Sequence, residues 1–129
     1  MLLIDAANVI GSRPSGWWRD RPAAARDLVE RVVQAVASNR LDDRVVLVLE
    51  GQARAGWDEG LATGLRVVHA LGSGDDALVE IAAESEEPVV AVTADRALRS
   101  RLQELGAQVV GPQWLLRRLG GAPSGGLGN

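Results

Sequence analysis

Two rhythms of apolar residues alternate along the chain. Unbroken apolar runs occur at Leu2-Leu3-Ile4, Val45-Val46-Leu47-Val48-Leu49 and Pro88-Val89-Val90-Ala91-Val92, with more mixed runs at Leu65 to Ala70 and Gln108-Val109-Val110. Runs this short, without polar alternation, predict strands covered on both faces. The more polar run at Leu65 is expected nearer the sheet edge. Between the runs the spacing becomes helical. Ala25, Leu28, Val29, Val32 and Val36 make one stripe in a helix from about Pro22 to Ala37, with the proline in its first turn and Ser38-Asn39 as its stop. Leu78, Ile81 and Ala82 make a second stripe, after Gly72-Ser73-Gly74. Leu98, Leu102 and Leu105 make a third, between Asp95 at its start and Gly106 past its end, and Trp114, Leu115, Leu116 and Leu119 a fourth, opened by Pro112. The stretches Val9 to Pro22 and Gln52 to Gly64 read as loops, the second holding one helical turn. Strands that alternate with helices predict an α/β fold: three layers, α/β/α, around a parallel sheet of five strands.

Composition narrows this picture. At 129 residues the chain is expected to form one domain over residues 1–119, followed by a flexible glycine-rich tail over 120–129. No apolar run approaches the roughly 18 to 20 residues that span a bilayer, and no basic segment precedes an apolar one at the start, so no membrane association and a cytoplasmic location are expected. The absence of cysteine excludes disulfides, thiolate metal sites and cysteine nucleophiles. All fourteen basic residues are arginine. Without lysine there is no Schiff-base chemistry and no phosphate-loop lysine. A net charge of −3 argues against non-specific wrapping of nucleic acid, though not against a local arginine patch.

Carboxylates recur at one place in the pattern. Asp5 and Glu50 end buried strands, Asp95 follows a strand within three residues, and Asp75 and Asp76 lie in the loop after the third strand. In a doubly wound sheet all these loops lie on the edge where ligands bind. Asp75 and Asp95 alone would also serve as helix caps. Asp5 and Glu50 resist that explanation, because crowding two carboxylates about 4 Å apart costs roughly 4 kcal/mol at an effective dielectric of 20. Such a cluster takes up protons or binds a cation. Oxygen ligands without His or Cys select a hard ion, so Mg²⁺ or Mn²⁺ is expected.

The segments Ile4-Asp5-Ala6-Ala7-Asn8, Leu49-Glu50-Gly51, Gly74-Asp75-Asp76 and Val92-Thr93-Ala94-Asp95-Arg96 follow one another in motif order. Through them the chain from Met1 to Leu119 resembles the NYN/PIN-like nuclease family, particularly its bacterial YacP-like branch. The resemblance implies a PIN-like sheet of order 3-2-1-4-5 and metal-dependent hydrolysis of phosphodiesters, with RNA as substrate. It implies that Asp5, Asp76 and Asp95 hold the metal, with Asp75 as a substitute for Asp76, while Asn8 and Thr93 brace the site by hydrogen bonds. Glu50 stands where that branch usually has aspartate, one methylene longer, which leaves its role open between ligand and outer group. A homodimer, an antitoxin or a ribosome would be further partners within such a family. Two rival readings remain: a hydrolase of free nucleotides at the same acidic site, and a non-catalytic RNA- or ribosome-associated module.

Five residues are candidates for substrate contact. Trp17 and Trp18 sit in a loop among Arg13, Arg19 and Arg21, where they would either stack on unpaired bases or pack on the first helix. Arg96 follows Asp95 directly and Arg54 follows Glu50 closely, so both are placed for a phosphate, as is Arg13. His69 reads as a surface or packing histidine, Trp114 as a core residue, and Glu80 as part of a solvated helix face.

Overall fold

The first apolar run becomes strand β1 (Leu2–Asp5), and the chain turns at once into the short helix α1 (Ala6–Gly11). The computed structural model describes residues 1–13, 16–42 and 44–120, apart from the side chain of Trp17. The tail expected at 120–129 thus lies outside the described residues except for Gly120. After α1 come α2 (Arg21–Ala37), β2 (Val45–Leu49), β3 (Gly60–Ala62), β4 (Leu65–His69), α3 (Gly74–Glu84), β5 (Val90–Val92), α4 (Arg96–Glu104), β6 (Gln108–Val110) and α5 (Pro112–Arg118). Short 3-10 turns cover Trp17–Arg19 and Gly51–Gly56.

The sheet has the order β3-β4-β2-β1-β5-β6. Leu2 lies opposite Val45 of β2 and Val90 of β5, both parallel, so β1 is central. Among the described residues the sheet therefore has six strands and is mixed, which corrects the expected five-stranded parallel sheet of order 3-2-1-4-5. The extra strand, β3, pairs antiparallel with β4, with Ala62 opposite Leu65. Its cause is the two-residue turn Thr63-Gly64, in which both residues have positive φ, 49° and 79°. That backbone matches the right-handed twist of a hairpin. This corrects the loop expected over Gln52 to Gly64: Gly60, Leu61 and Ala62 include no β-branched residue to mark a strand, and the folded chain leaves all three exposed.

Every residue of β1 and β2 is buried, because the two faces of the sheet feed separate cores. Leu2, Ile4, Val45, Leu47 and Leu49 pack with Val9, Val29, Val32 and Leu115 from α1, α2 and α5. Leu3, Val46 and Val48 face the other way, against Leu78, Leu98 and Leu102 of α3 and α4. Alternation along each strand thus divides one apolar run between two cores, and each buried Leu, Ile or Val contributes about 1.5 to 3 kcal/mol. The helix ends follow their local chemistry. Asp20 Oδ1 accepts from Ala23 N at 3.1 Å to cap α2, which ends before Asn39 at φ 59°. Asp95 caps α4, and Gly106 beyond its end has φ 89°. No described helix is long and apolar enough to cross a membrane.

Candidate active site

Asp5 occupies the junction of β1 and α1 and serves both. It ends the strand, and its Oδ1 accepts from Asn8 N at 3.3 Å as the cap of the helix. Its Oδ2 accepts from the Thr93 hydroxyl at 2.9 Å, across the boundary with β5. Thr93 Oγ1 in turn accepts from Asp95 N at 3.2 Å, and Asn8 Oδ1 accepts from Ala94 N at 2.7 Å. A continuous hydrogen-bonded brace therefore ties the end of β1, the first turn of α1 and the loop after β5. Thr93 is fully buried and Asp5 is 6% exposed, so the bond between them is shielded from water, while the Asn8–Ala94 end of the brace lies at the surface.

The electrostatics follow from that burial. Loss of hydration pushes the Asp5 carboxyl up to about 6, the Thr93 hydroxyl and Asn8 N–H pull it back, and the charges of Asp75 and Glu50 add to the rise. Asp75 is raised as well, first by burial and then by Asp95; Arg101 opposes this and Asp76 reinforces it. Asp75 and Glu50 thus act on Asp5, and Asp95 on Asp75, so that four carboxylates from four parts of the chain gather at one edge of the sheet. Glu50 is half-buried, and its carboxylate lies so close to Gly74 that a methyl group there would overlap it.

The remaining expected residues fall in different places. Asp76 is turned outward, where its Oδ1 pairs with Arg101 Nη2 at 3.1 Å; of the Asp75-Asp76 pair it is Asp75 that faces the cleft. Arg13 pairs with Asp27 at 3.7 Å, an aspartate it shares with Arg31. Arg54 donates to the carbonyl oxygens of Gly51 at 3.0 Å and Ala70 at 3.5 Å, so it straps the loop after β2 to the end of β4. Arg96 is exposed and has no side-chain hydrogen bond or ion pair among the described residues. Trp18 is 57% exposed, with the Arg19 guanidinium 5.6 Å from its ring centre. The side chain of Trp17 lies outside the described residues. His69 Nε2 bonds to Trp57 O at 2.8 Å, a packing role.

Three participants had gone unread in the sequence. Arg101 neutralises Asp76, Arg99 Nη1 donates to Thr93 O at 3.2 Å, and Ser73 caps α3 by accepting from Asp75 N at 3.1 Å. Ser73 carried a legible signal, a serine followed by two aspartates at a helix start. The arginines carried none, since nothing in the spacing says which way a helical side chain turns.

The donor set consists only of carboxylate, hydroxyl and amide oxygens, which suits a hard divalent ion. Among the described residues no group of three acidic or histidine side chains is close enough to form a ready-made cage.

No family model matches the chain, and no curated protein does either. Solved structures do. Rae1 (YacP) from Bacillus subtilis aligns over 93% of this chain and 73% of its own, with a TM-score of 0.70 and 18% identity. A point mutant of the same protein aligns over 92% of this chain and 73% of its own, with a TM-score of 0.65 and 18% identity. The chain shares its fold with Bacillus subtilis Rae1 (YacP).

Proposed function

We propose that the chain is a metal-dependent ribonuclease that hydrolyses RNA phosphodiester bonds at the Asp5 cleft. The observation that carries this reading is the buried Asp5 carboxylate, raised to about 6 and faced by the further charges of Glu50 and Asp75. Asn8 and Thr93 satisfy its oxygens, yet burying a carboxylate beside two further negative charges is still costly. A cation relieves it. The motif resemblance to the YacP-like branch and the fold shared with Rae1 (YacP) support the same reading.

Asp5, Asp95 and Asp75 would hold a Mg²⁺ or Mn²⁺ ion directly or through water, with Glu50 beside them. When bound, the ion polarises the phosphoryl oxygen and lowers the pKa of an attacking water. The protein's own part is orientation. Thr93 and Asn8 fix the Asp5 carboxylate in one rotamer, and the Asn8 amide fixes the loop that presents Asp95. Arg96 stands next to Asp95, free to meet a phosphate, and Trp18 with Arg19 offers an exposed stacking and charged surface for the strand.

A second reading, a module that binds RNA without cutting it, draws on the absence of a preformed three-carboxylate group among the described residues and on the pairing of Asp76 with Arg101. Incubating the purified chain with an end-labelled RNA pool in Mn²⁺, Mg²⁺ or chelator separates the two. Cleavage that appears with metal and disappears with chelator is expected; binding without cleavage in any metal selects the module.

A further inference from the structure

Beside the acidic cleft, and sharing Glu50 with it, lies a cavity of about 220 Å³ lined by Ala7, Ile10, Arg21, Glu50, Gly51 and Ala53. Ala7 and Ile10 are one turn apart on α1, which starts directly after Asp5, so the cavity and the cleft use the same helix. Arg21 opens α2, and Gly51 and Ala53 belong to the 3-10 turn after β2.

Its size decides what class of ligand it suits. An apolar cavity of about 150 Å³ takes a benzene ring, whereas sites for whole drug-sized molecules run from about 300 Å³ upward. The cavity lies between these limits, with room for one heteroaromatic ring system and too little for a complete nucleotide. Its chemistry agrees. The side chains of Ala7, Ile10 and Ala53 supply apolar contact for ring faces. The Glu50 carboxylate, which accepts no hydrogen bond among the described residues, offers acceptors, and Arg21 carries donors. At Gly51, φ 58°, a Cβ would meet nothing within 4 Å, so that wall is bare backbone facing open space.

We infer that this cavity seats one unpaired base of the RNA strand whose phosphate faces Asp5. The inference rests on the reading of the cleft as a phosphodiester site, and it makes the substrate single-stranded, because only an unstacked base can be splayed into such a seat.

The test is binding, read by fluorescence anisotropy with the full chain in chelator so that no cleavage intervenes. The probes are a fluorescein-labelled hexaadenylate and the same strand with one abasic ribose placed at each position in turn. One position is expected at which loss of the base weakens binding about tenfold. Ala53→Phe and Ala7→Leu, which fill the cavity from different elements, are expected to bind the intact strand about tenfold more weakly and to lose the distinction. A flat abasic scan, undiminished affinity in both filled variants, or no measurable binding by the wild type overturns the inference. Cleavage is scored separately with Mn²⁺. Cleavage with a flat scan removes the base seat and leaves the nuclease reading standing, whereas a position-dependent scan without cleavage does the reverse.

Discussion

Asp5 shows how one residue serves a strand end and a helix cap at a cost. Its carboxyl is raised from 3.8 to about 6, mainly by burial. An acid whose folded pKa exceeds its unfolded value holds more protons when folded, so its contribution to stability is greatest at low pH and is lost as pH rises from about 4 to about 6. The loss is on the order of 3 kcal/mol. In metal-free buffer, urea denaturation of Asp5→Asn should therefore show higher stability than the wild type at pH 8, with the gap closing toward pH 4. Equal stability at both pH values would show that Asp5 carries no such penalty. The neighbouring pair gives a second test. Because Asp75 faces Asp95 while Asp76 pairs with exposed Arg101, Asp75→Asn should lower kcat/KM on RNA at least about tenfold more than Asp76→Asn, a difference of about 1.4 kcal/mol. The reverse ranking would restore Asp76 to the place the motif resemblance gives it. The sequence could locate Asp75-Asp76 at a helix start but could not say which of the two turns inward, since adjacent helical residues face about 100° apart and the helix rotation is set by packing.

At the scale of elements, the 3-10 turn that follows Glu50 packs closely on α2. Gly56 is buried at this contact; a Cβ there would overlap the Pro22 carbonyl oxygen and lie 2.9 Å from Ala25 Cβ. Gly56→Ala should destabilise the fold by about 1 to 3 kcal/mol, read as a lower urea midpoint with unchanged slope. An unchanged midpoint would mean that the contact is looser than described. Such a close approach is invisible in sequence, where Gly56 is one glycine among several in an apparent loop. The long apolar runs were legible because burial on both faces leaves no polar alternation. β3 was not, because a short exposed edge strand has no such pattern and depends on the Thr63-Gly64 turn. The short α1 was also missed: Asp5-Ala6-Ala7-Asn8 reads as a strand end and a turn, although Asp5 is at the same time a helix cap.

For the whole molecule, strand order brings carboxylates scattered along the sequence to one edge of the sheet. With β1 flanked by β2 and β5, the loops carrying Asp5, Glu50 and Asp95 must meet at one sheet edge, and α3 brings Asp75 to the same place. That convergence was readable from strand ends alone. Side-chain assignments were not: Arg13 is engaged by Asp27 and Arg54 by the Ala70 carbonyl, partners that lie nearby only once the chain is folded. The central claim is that Asp5 anchors a metal ion that cuts RNA. Its most direct test compares wild type with Asp5→Asn, both shown to be folded by thermal melting, on one labelled RNA in Mn²⁺ and in chelator. The account predicts cleavage by the wild type in Mn²⁺ only, a Mn²⁺-dependent rise in its Tm, and neither effect in Asp5→Asn. Cleavage by Asp5→Asn at the wild-type rate, or no Mn²⁺-dependent cleavage by the wild type, would contradict it.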